Sequence, residues 1–244
     1  MSTQPLVFVT GANQGIGLAV SKSLAINHSY HVLLGVRNLQ AGQAEAKQLR
    51  DAGHSATVIE LDLSSEKSVS SAITTIENQF GYLDVLINNA AILIDRRLDL
   101  PKWNLYSQTF TTNVVGTGVL TEGLLPLLKK AKLGPPRIVF VSSIMGSLGV
   151  SLDKTTAWYA KDYKVYDASK AATNLLAINF ARELDSVGGK VNCVCPGLVK
   201  SNLTGFIEYG ESPEAGATRI VELATAGKEA PTATFSNKHS EIAW

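Results

Sequence analysis

The chain is poor in the residues that build metal centres and covalent frameworks. Its 244 residues include two cysteines, Cys193 and Cys195, and nothing nearby completes a zinc site or a disulfide scaffold around them. Two positions apart in an apolar run, they would share one face of a strand as buried structural thiols. The four histidines (His28, His31, His54 and His239) fall at element ends with no H-E-x-x-H pattern. They are expected at the surface, and no metal is expected. No run of 18 apolar residues occurs, which argues against a membrane-spanning helix. The first strand-like segment starts at Leu6, which leaves no room for a signal peptide, so a soluble cytoplasmic protein is expected. Neither sign of charge dominates: 22 Lys+Arg against 21 Asp+Glu gives +1, so no global field draws nucleic acid or an anionic membrane. Repeats, low-complexity tracts and domain linkers are also absent from the sequence.

What is present is a strict rhythm. Leu6–Thr10, His31–Val36, Thr57–Leu61, Leu83–Ile87, Arg137–Val141 and Lys190–Cys195 read as short apolar strands. Helical spacing fills Gly15–Ala25, Leu39–Arg50, Ser65–Phe80, two stretches within Trp103–Lys130 broken near Asn113, and the run from Tyr166 to Leu184. Strand alternating with helix predicts an α/β fold, one doubly wound parallel sheet with helices on both faces, as a single domain over residues 1–244. Two stretches break the rhythm, 147–165 and 201–217. They are expected to form a substrate loop and a lid, because long connections tend to carry function. The tail ends in Ile242-Ala243-Trp244, and Trp244 is expected to pack back on the body.

Four local patterns carry chemistry. Thr10-Gly11-Ala12-Asn13-Gln14-Gly15-Ile16-Gly17 lies between the first strand and the first helix. Glycines there allow a tight turn and bring backbone N–H groups to a pyrophosphate at the positive end of a helix. The spacing is G-x-x-x-G-x-G and no GK[ST] follows, which excludes a P-loop. At the end of the second strand a carboxylate would select NAD, whereas Gly35-Val36-Arg37-Asn38 offers an arginine suited to the 2′-phosphate of NADP(H), with Asn38 beside it. Asp62-Leu63, after the third strand, would read an adenine edge, or Asp62 would cap the helix from Ser65. Finally, Tyr166 and Lys170 are one helical turn apart on a common face. A cation there is expected to favour phenolate and lower the tyrosine pKa, which suits proton transfer near neutrality.

Thr10–Gly17, Asp62-Leu63, Asn88-Asn89-Ala90-Ala91, Asn113, Ser142-Ser143, Tyr166-x-x-x-Lys170 and Pro196-Gly197 stand in the order found in the short-chain dehydrogenase/reductase family. The chain resembles that family over residues 6–201, and within it the NADPH-dependent carbonyl reductases. The resemblance implies a Rossmann-type fold and hydride-transfer reduction of a ketone or aldehyde. It makes Tyr166 the general acid, Ser143 the hydroxyl that positions the substrate oxygen, and Lys170 the residue that holds the nicotinamide ribose. Asn113 would close a water-linked proton path. Ser143 is preferred to Ser142 because Ser143-Ile144-Met145-Gly146 matches the family's Ser-x-x-Gly. Asn89 and Ala90 would touch a ribose, and Pro196, Gly197, Val199 and Ser201 the nicotinamide amide. Met145, Trp158, Tyr159, Leu198 and Phe206 would line the substrate cleft, with Leu93, Ile94 and Tyr209. The 147–165 segment is longer than is common in the family, which favours a monomer or dimer over a tetramer. Alcohol oxidation, non-redox chemistry on the same scaffold, and non-catalytic NADP(H) sensing are the competing readings. The expected partner is a small carbonyl compound, not a nucleic acid or a membrane.

Overall fold

A computed structural model describes residues 4–244 of the chain. Seven strands form one sheet in the order β3-β2-β1-β4-β5-β6-β7, every adjacent pair parallel. They are β1 (Leu6–Thr10), β2 (His31–Val36), β3 (Ala56–Glu60), β4 (Val85–Asn88), β5 (Arg137–Val141), β6 (Lys190–Val194) and β7 (Phe235–Ser236). Among the described residues the α-helices are α1 (Gly15–His28), α2 (Leu39–Asp51), α3 (Glu66–Phe80), α4 (Lys102–Phe110), α5 (Thr117–Leu128), α6 (Leu148–Leu152), α7 (Lys164–Leu184) and α8 (Pro213–Thr225).

Alternation along the strands feeds two cores, one on each side of the sheet. From β1, Leu6 and Phe8 join α3, α5 and α7 in one cluster, while Val7 and Val9 join α1, α2 and α8 in the other. Because both faces are covered, β1, β4 and β5 are apolar almost throughout and buried at every position. Strand order reverses at β1, which has β2 on one side and β4 on the other. In an open parallel sheet the crevice at that reversal, beyond the strands' C-terminal ends, is where a ligand fits.

The structure departs from the sequence reading in several places. The interruption expected near Asn113 is a π-helical turn, Thr111–Gly116, which joins α4 to α5 without breaking the chain's helical course. The reading missed α8, although Ser212 caps it and Pro213 opens it, which is a recognised helix start. It therefore ends the expected lid at Ser212, since 213–217 is regular helix. It also missed β7, whose two residues pair with Cys193 and Val194 and whose polar surroundings give no strand signal. Asp62 does not cap α3; Ser65 does, accepting from the Ser68 amide. His31 is not a free surface residue. Its Nε2 lies 2.9 Å from the Thr57 hydroxyl, its ring meets Phe80 edge-on, and burial lowers its pKa. Trp244 packs on Phe235 with ring centres 5.7 Å apart, and the tail is tied to the 147–149 segment by Ser147 Oγ donating to the Ala243 carbonyl and Gly149 N to that of Trp244. Among the described residues no helix is long and apolar enough to cross a membrane, and no three His, Cys, Asp or Glu side chains gather to hold a metal ion.

Candidate active site

A cleft of about 380 Å³ opens at the strand reversal, within the usual range for a small-molecule site. Its nucleotide end is made by the turn from β1 into α1. Gly11, at φ +66°, lets the chain fold back so that its N–H and that of Ala12 both donate to the Gly35 carbonyl. From across the β1–β4 boundary Asn89 secures the turn, its Nδ2 donating to Thr10 O at 2.8 Å and to Gly11 O at 3.4 Å. Thr10 Oγ1 in turn accepts from the Asn89 and Ala90 amides. Gly17 lies beneath the cleft and not in its lining, where any Cβ would sit 2.3 Å from the Gly11 carbonyl oxygen. Its part is to let α1 approach the turn. The helix start is electrostatically open: Gln14 makes no side-chain cap and the first turn has no acidic residue. Gly11, Asn13, Gln14, Gly15 and Ile16 all line this end of the cleft, so free amides and the positive helix pole face it.

Arg37, Asn38, Asp62 and Leu63 line the same end. Among the described residues Arg37 has no ion pair within 4 Å. Burial pushes Asp62 up, but hydrogen bonds from Ser64 and the Arg37 charge outweigh it, and the carboxyl lies below its ordinary pKa. The Asn38 oxygen caps α2 by accepting from the Ala41 amide, and its NH₂ can still donate to a ligand.

At the other end α7 presents Tyr166 and Lys170, both buried yet both lining the cleft. Lys170 Nζ donates to the Val141 carbonyl at 2.7 Å and lies 5.5 Å from the centre of the Tyr166 ring. Ser143 reaches Tyr166 because the 3₁₀ turn Ile144–Gly146 rests on α7. A Cβ at Gly146 would come within 2.7 Å of the Lys170 backbone. Ser143, which accepts from the Met145 amide, lies just outside the cleft lining, where its hydroxyl acts to lower the phenol's pKa; Ser142 is in the lining, but its Oγ donates to Asn174. The expectation that Lys170 lowers the Tyr166 pKa is overturned. Burial raises it, Cys195 and Asp167 push the same way, and the Ser143 bond opposes them without prevailing. Lys170 itself is drawn down to about 8 by burial. A desolvated site penalises the cation and the phenolate alike. The phenol is thereby held protonated across neutral pH, as a proton donor must be.

Asn113 sits in the π turn and is buried outside the cleft lining. Its side chain is fully used: Oδ1 accepts from Ile92 N, and Nδ2 donates to Ile92 O and Ser169 Oγ. Pro196 and Ser201 line the cleft, while Gly197 and Val199 do not; Val199 is buried against Gly216. Cys195 lies behind them, its sulfur receiving the Gly197 and Ile144 amides, and burial pushes both cysteine thiols up.

The apolar wall is Ile92, Leu93, Ile94 and Leu203. Leu93 and Ile94 are where the sequence places them; Ile92 and Leu203 were missed, although each adjoins a motif or lies within the expected lid. Met145, Trp158, Tyr159, Leu198, Phe206 and Tyr209 lie outside the cleft lining. Tyr159, Phe206 and Tyr209 are instead exposed to solvent. An aromatic residue in a surface loop has no periodicity to show which way it points, so the sequence could not place these.

Comparison with known proteins agrees with this geometry. Residues 5–211 match the family described as short chain dehydrogenase. The short-chain dehydrogenase anuI of Penicillium roqueforti is 36% identical over 228 residues, covering 92% of this chain and 90% of that protein. Carbonyl reductase [NADPH] 1 of Sus scrofa is 29% identical, covering all of this chain and 95% of its own. The structure of NADPH-bound carbonyl reductase from chicken fatty liver superposes with a TM-score of 0.85 at 25% identity, covering 99% of each chain. A glycine turn at a helix start, a buried Tyr166–Lys170 pair at the far end of the same cleft, and a family match across 5–211 agree: this chain belongs to the short-chain dehydrogenase family of nicotinamide-dependent oxidoreductases.

Proposed function

We propose that the protein reduces an aldehyde or ketone to an alcohol with NADPH, and that Tyr166 donates the proton to the carbonyl oxygen. The observation that carries this reading is the placement of Tyr166 and Lys170 at one end of a cleft, with Ser143 acting on the phenol from just outside its lining, while the other end holds Arg37, which has no ion pair among the described residues. The residues fit the cofactor. The open start of α1 suits its pyrophosphate, and the Arg37 guanidinium suits a 2′-phosphate that a carboxylate would repel. Pro196 and Ser201 border the end where a nicotinamide would lie. Bound NADPH supplies a hydride for the carbonyl carbon.

This chain's own residues do the rest. As charge builds on the carbonyl oxygen, the Tyr166 and Ser143 hydroxyls are two donors able to stabilise it. Tyr166 releases its proton to the forming alkoxide; burial keeps the phenol protonated and makes it a weaker acid, which the Ser143 hydroxyl offsets in part. Lys170 holds one proton on Val141 O and has others to offer a ribose hydroxyl. Asn113 fixes the loop at Ile92 and bridges it to α7 through Ser169, so its role is to hold the wall. The small carbonyl partner is met by the apolar surface of Ile92, Leu93, Ile94 and Leu203.

The test is Tyr166→Phe. It removes one hydroxyl from a closely packed ring and is expected to cut turnover of model ketones by roughly 10²- to 10⁴-fold. NADPH affinity, followed by cofactor fluorescence, is expected to stay within about twofold. A variant that keeps most of its rate overturns the reading.

A further inference from the structure

The helix that carries Tyr166 and Lys170 does not cap itself. Tyr163 occupies the position before α7 and offers no side-chain cap, yet the first N–H groups of a buried helix need acceptors. The acceptor comes from 70 residues upstream. Asp95 Oδ1, in the connection between β4 and α4, takes the Val165 amide at 2.9 Å and the Tyr166 amide at 3.4 Å. The same connection carries Ile92, Leu93 and Ile94 in the cleft wall. One carboxylate oxygen therefore joins the substrate wall to the residue that donates the proton.

A second carboxylate stands beside it. Asp167 lies in the first turn of α7, and its Oδ1 and the Oδ2 of Asp95 are both buried with no hydrogen-bond partner. Two carboxylates with two buried oxygens lacking donors are poorly satisfied unless a proton lies on one of them. Among the described residues no cation pairs with either. Arg96 bonds the Tyr163 hydroxyl and lies over its ring, and Lys164 pairs with Asp162 at 3.3 Å. Asp162 adds further negative charge, and Lys170 is turned to Val141. Lys102 and Tyr106 on α4 are not among the groups that act on Asp167.

We propose that Asp95 is a positioning residue, the external cap of the catalytic helix, and that a proton shared with Asp167 keeps this cap closed and so ties the substrate wall to Tyr166. The proposal rests on Tyr166 being the proton donor, and the cap itself is read independently of that. Burial, with Asp95 and Asp162 nearby, pushes Asp167 up to about 7. Below that pH Asp167 is neutral and Asp95 caps α7. Above it two adjacent carboxylates repel, and the cap loosens.

The experiment follows kcat/KM for a model ketone from pH 5.5 to 9 in the parent, Asp167→Asn, Asp95→Asn and Asp95→Ala. Hydrogen exchange of the Val165 and Tyr166 amides is measured alongside, corrected for intrinsic rates. In the parent, kcat/KM is expected to fall about tenfold across neutrality, and protection of the two amides to fall with it. Asp167→Asn is expected to move that fall up to the region near 8 where Lys170 titrates, and to hold protection constant from pH 6 to 8. Asp95→Ala is expected to lose about tenfold in kcat/KM at every pH, in line with loss of a helix cap. Asp95→Asn, whose amide oxygen still caps, is expected to recover most of it. An Asp167→Asn profile that coincides with the parent's, or amide protection untouched by Asp95→Ala, overturns the proposal. The exchange measurement needs no substrate, so it judges the cap even if Tyr166→Phe overturns the reductase reading.

Discussion

The two ends of the cleft are built on different principles. At the nucleotide end the chemistry is carried by backbone: the Gly11 turn, the free amides that open α1, and carbonyls stitched by Asn89. At the catalytic end it is carried by side chains taken out of water. Tyr166 and Lys170 are buried, burial moves the pKa of each toward its neutral form, and the helix that holds them is capped by Asp95 from elsewhere in the chain. A backbone site tolerates solvent and needs only shape, whereas a desolvated side-chain site needs partners. The first end is therefore sensitive to volume, and the second to hydrogen bonds and protons.

Two glycines break the comparison most sharply. Gly17→Ala places a methyl 2.3 Å from the Gly11 carbonyl oxygen, a backbone atom that can move only if the turn moves. Overpacking of this kind costs about 1–3 kcal/mol, or a Tm lower by about 2–4 °C per kcal/mol in a chain this size. Cofactor affinity is expected to fall by about a hundredfold or more, because the displaced atoms are those that would face the pyrophosphate. Gly146→Ala meets the backbone of Lys170 at 2.7 Å and is expected to cost comparable stability. Its effect falls on turnover, with cofactor affinity largely kept, since Ser143 and Lys170 are pushed apart. Calorimetry and cofactor titration on both variants check the pair. Equal loss of affinity in the two would mean that the ends are not separate.

That contrast also explains what could be read before the structure. The nucleotide end is local, because Gly11 to Gly17 and Arg37 each follow a strand within a few residues, so spacing in the sequence is spacing in space. Sheet and helices were legible for a similar reason, since a buried parallel sheet writes its strands as apolar runs such as Leu6–Thr10 and Arg137–Val141. Tyr166 and Lys170 were found because a helical turn joins them, but the direction of the tyrosine's pKa was not. It depends on burial and on Cys195 and Asp167, which pair spacing does not encode. Asp95 was invisible for the same reason: a cap supplied across 70 residues leaves no motif. Phe206 and Tyr209 were misplaced because aromatic content suggests a pocket, while in loops nothing fixes the side on which an aromatic falls.

Arg37 offers a milder test of the nucleotide end. It has no ion pair within 4 Å among the described residues, so replacing it breaks none. The parent is expected to bind NADPH at least tenfold tighter than NADH, about 1.4 kcal/mol. Arg37→Asp is expected to erase or reverse that preference, because a carboxylate there repels a 2′-phosphate and can accept from ribose hydroxyls instead. Thermal stability is expected to change little. Equal affinities for the two cofactors in the parent would remove Arg37 from its assigned role.

The smallest effects separate cleft wall from ornament at the catalytic end. Leu203 lines the cleft from the short turn after Ser201, whereas Trp158 is half-buried in the 147–163 segment outside that lining. Leu203→Ala removes apolar surface that a substrate would cover, and about 25 cal/mol per Å² sets the loss at roughly 1 kcal/mol for a side chain partly buried by the ligand. KM for a bulky ketone is expected to rise about fivefold, with kcat nearly constant, because an apolar contact holds ground and transition states alike. Trp158→Ala is expected to leave KM within about twofold while lowering Tm through lost packing. The reverse pattern, with Trp158 setting KM and Leu203 silent, would show that substrate is met on the outer loop. The wall of Ile92, Leu93, Ile94 and Leu203 would then not be where the carbonyl compound rests.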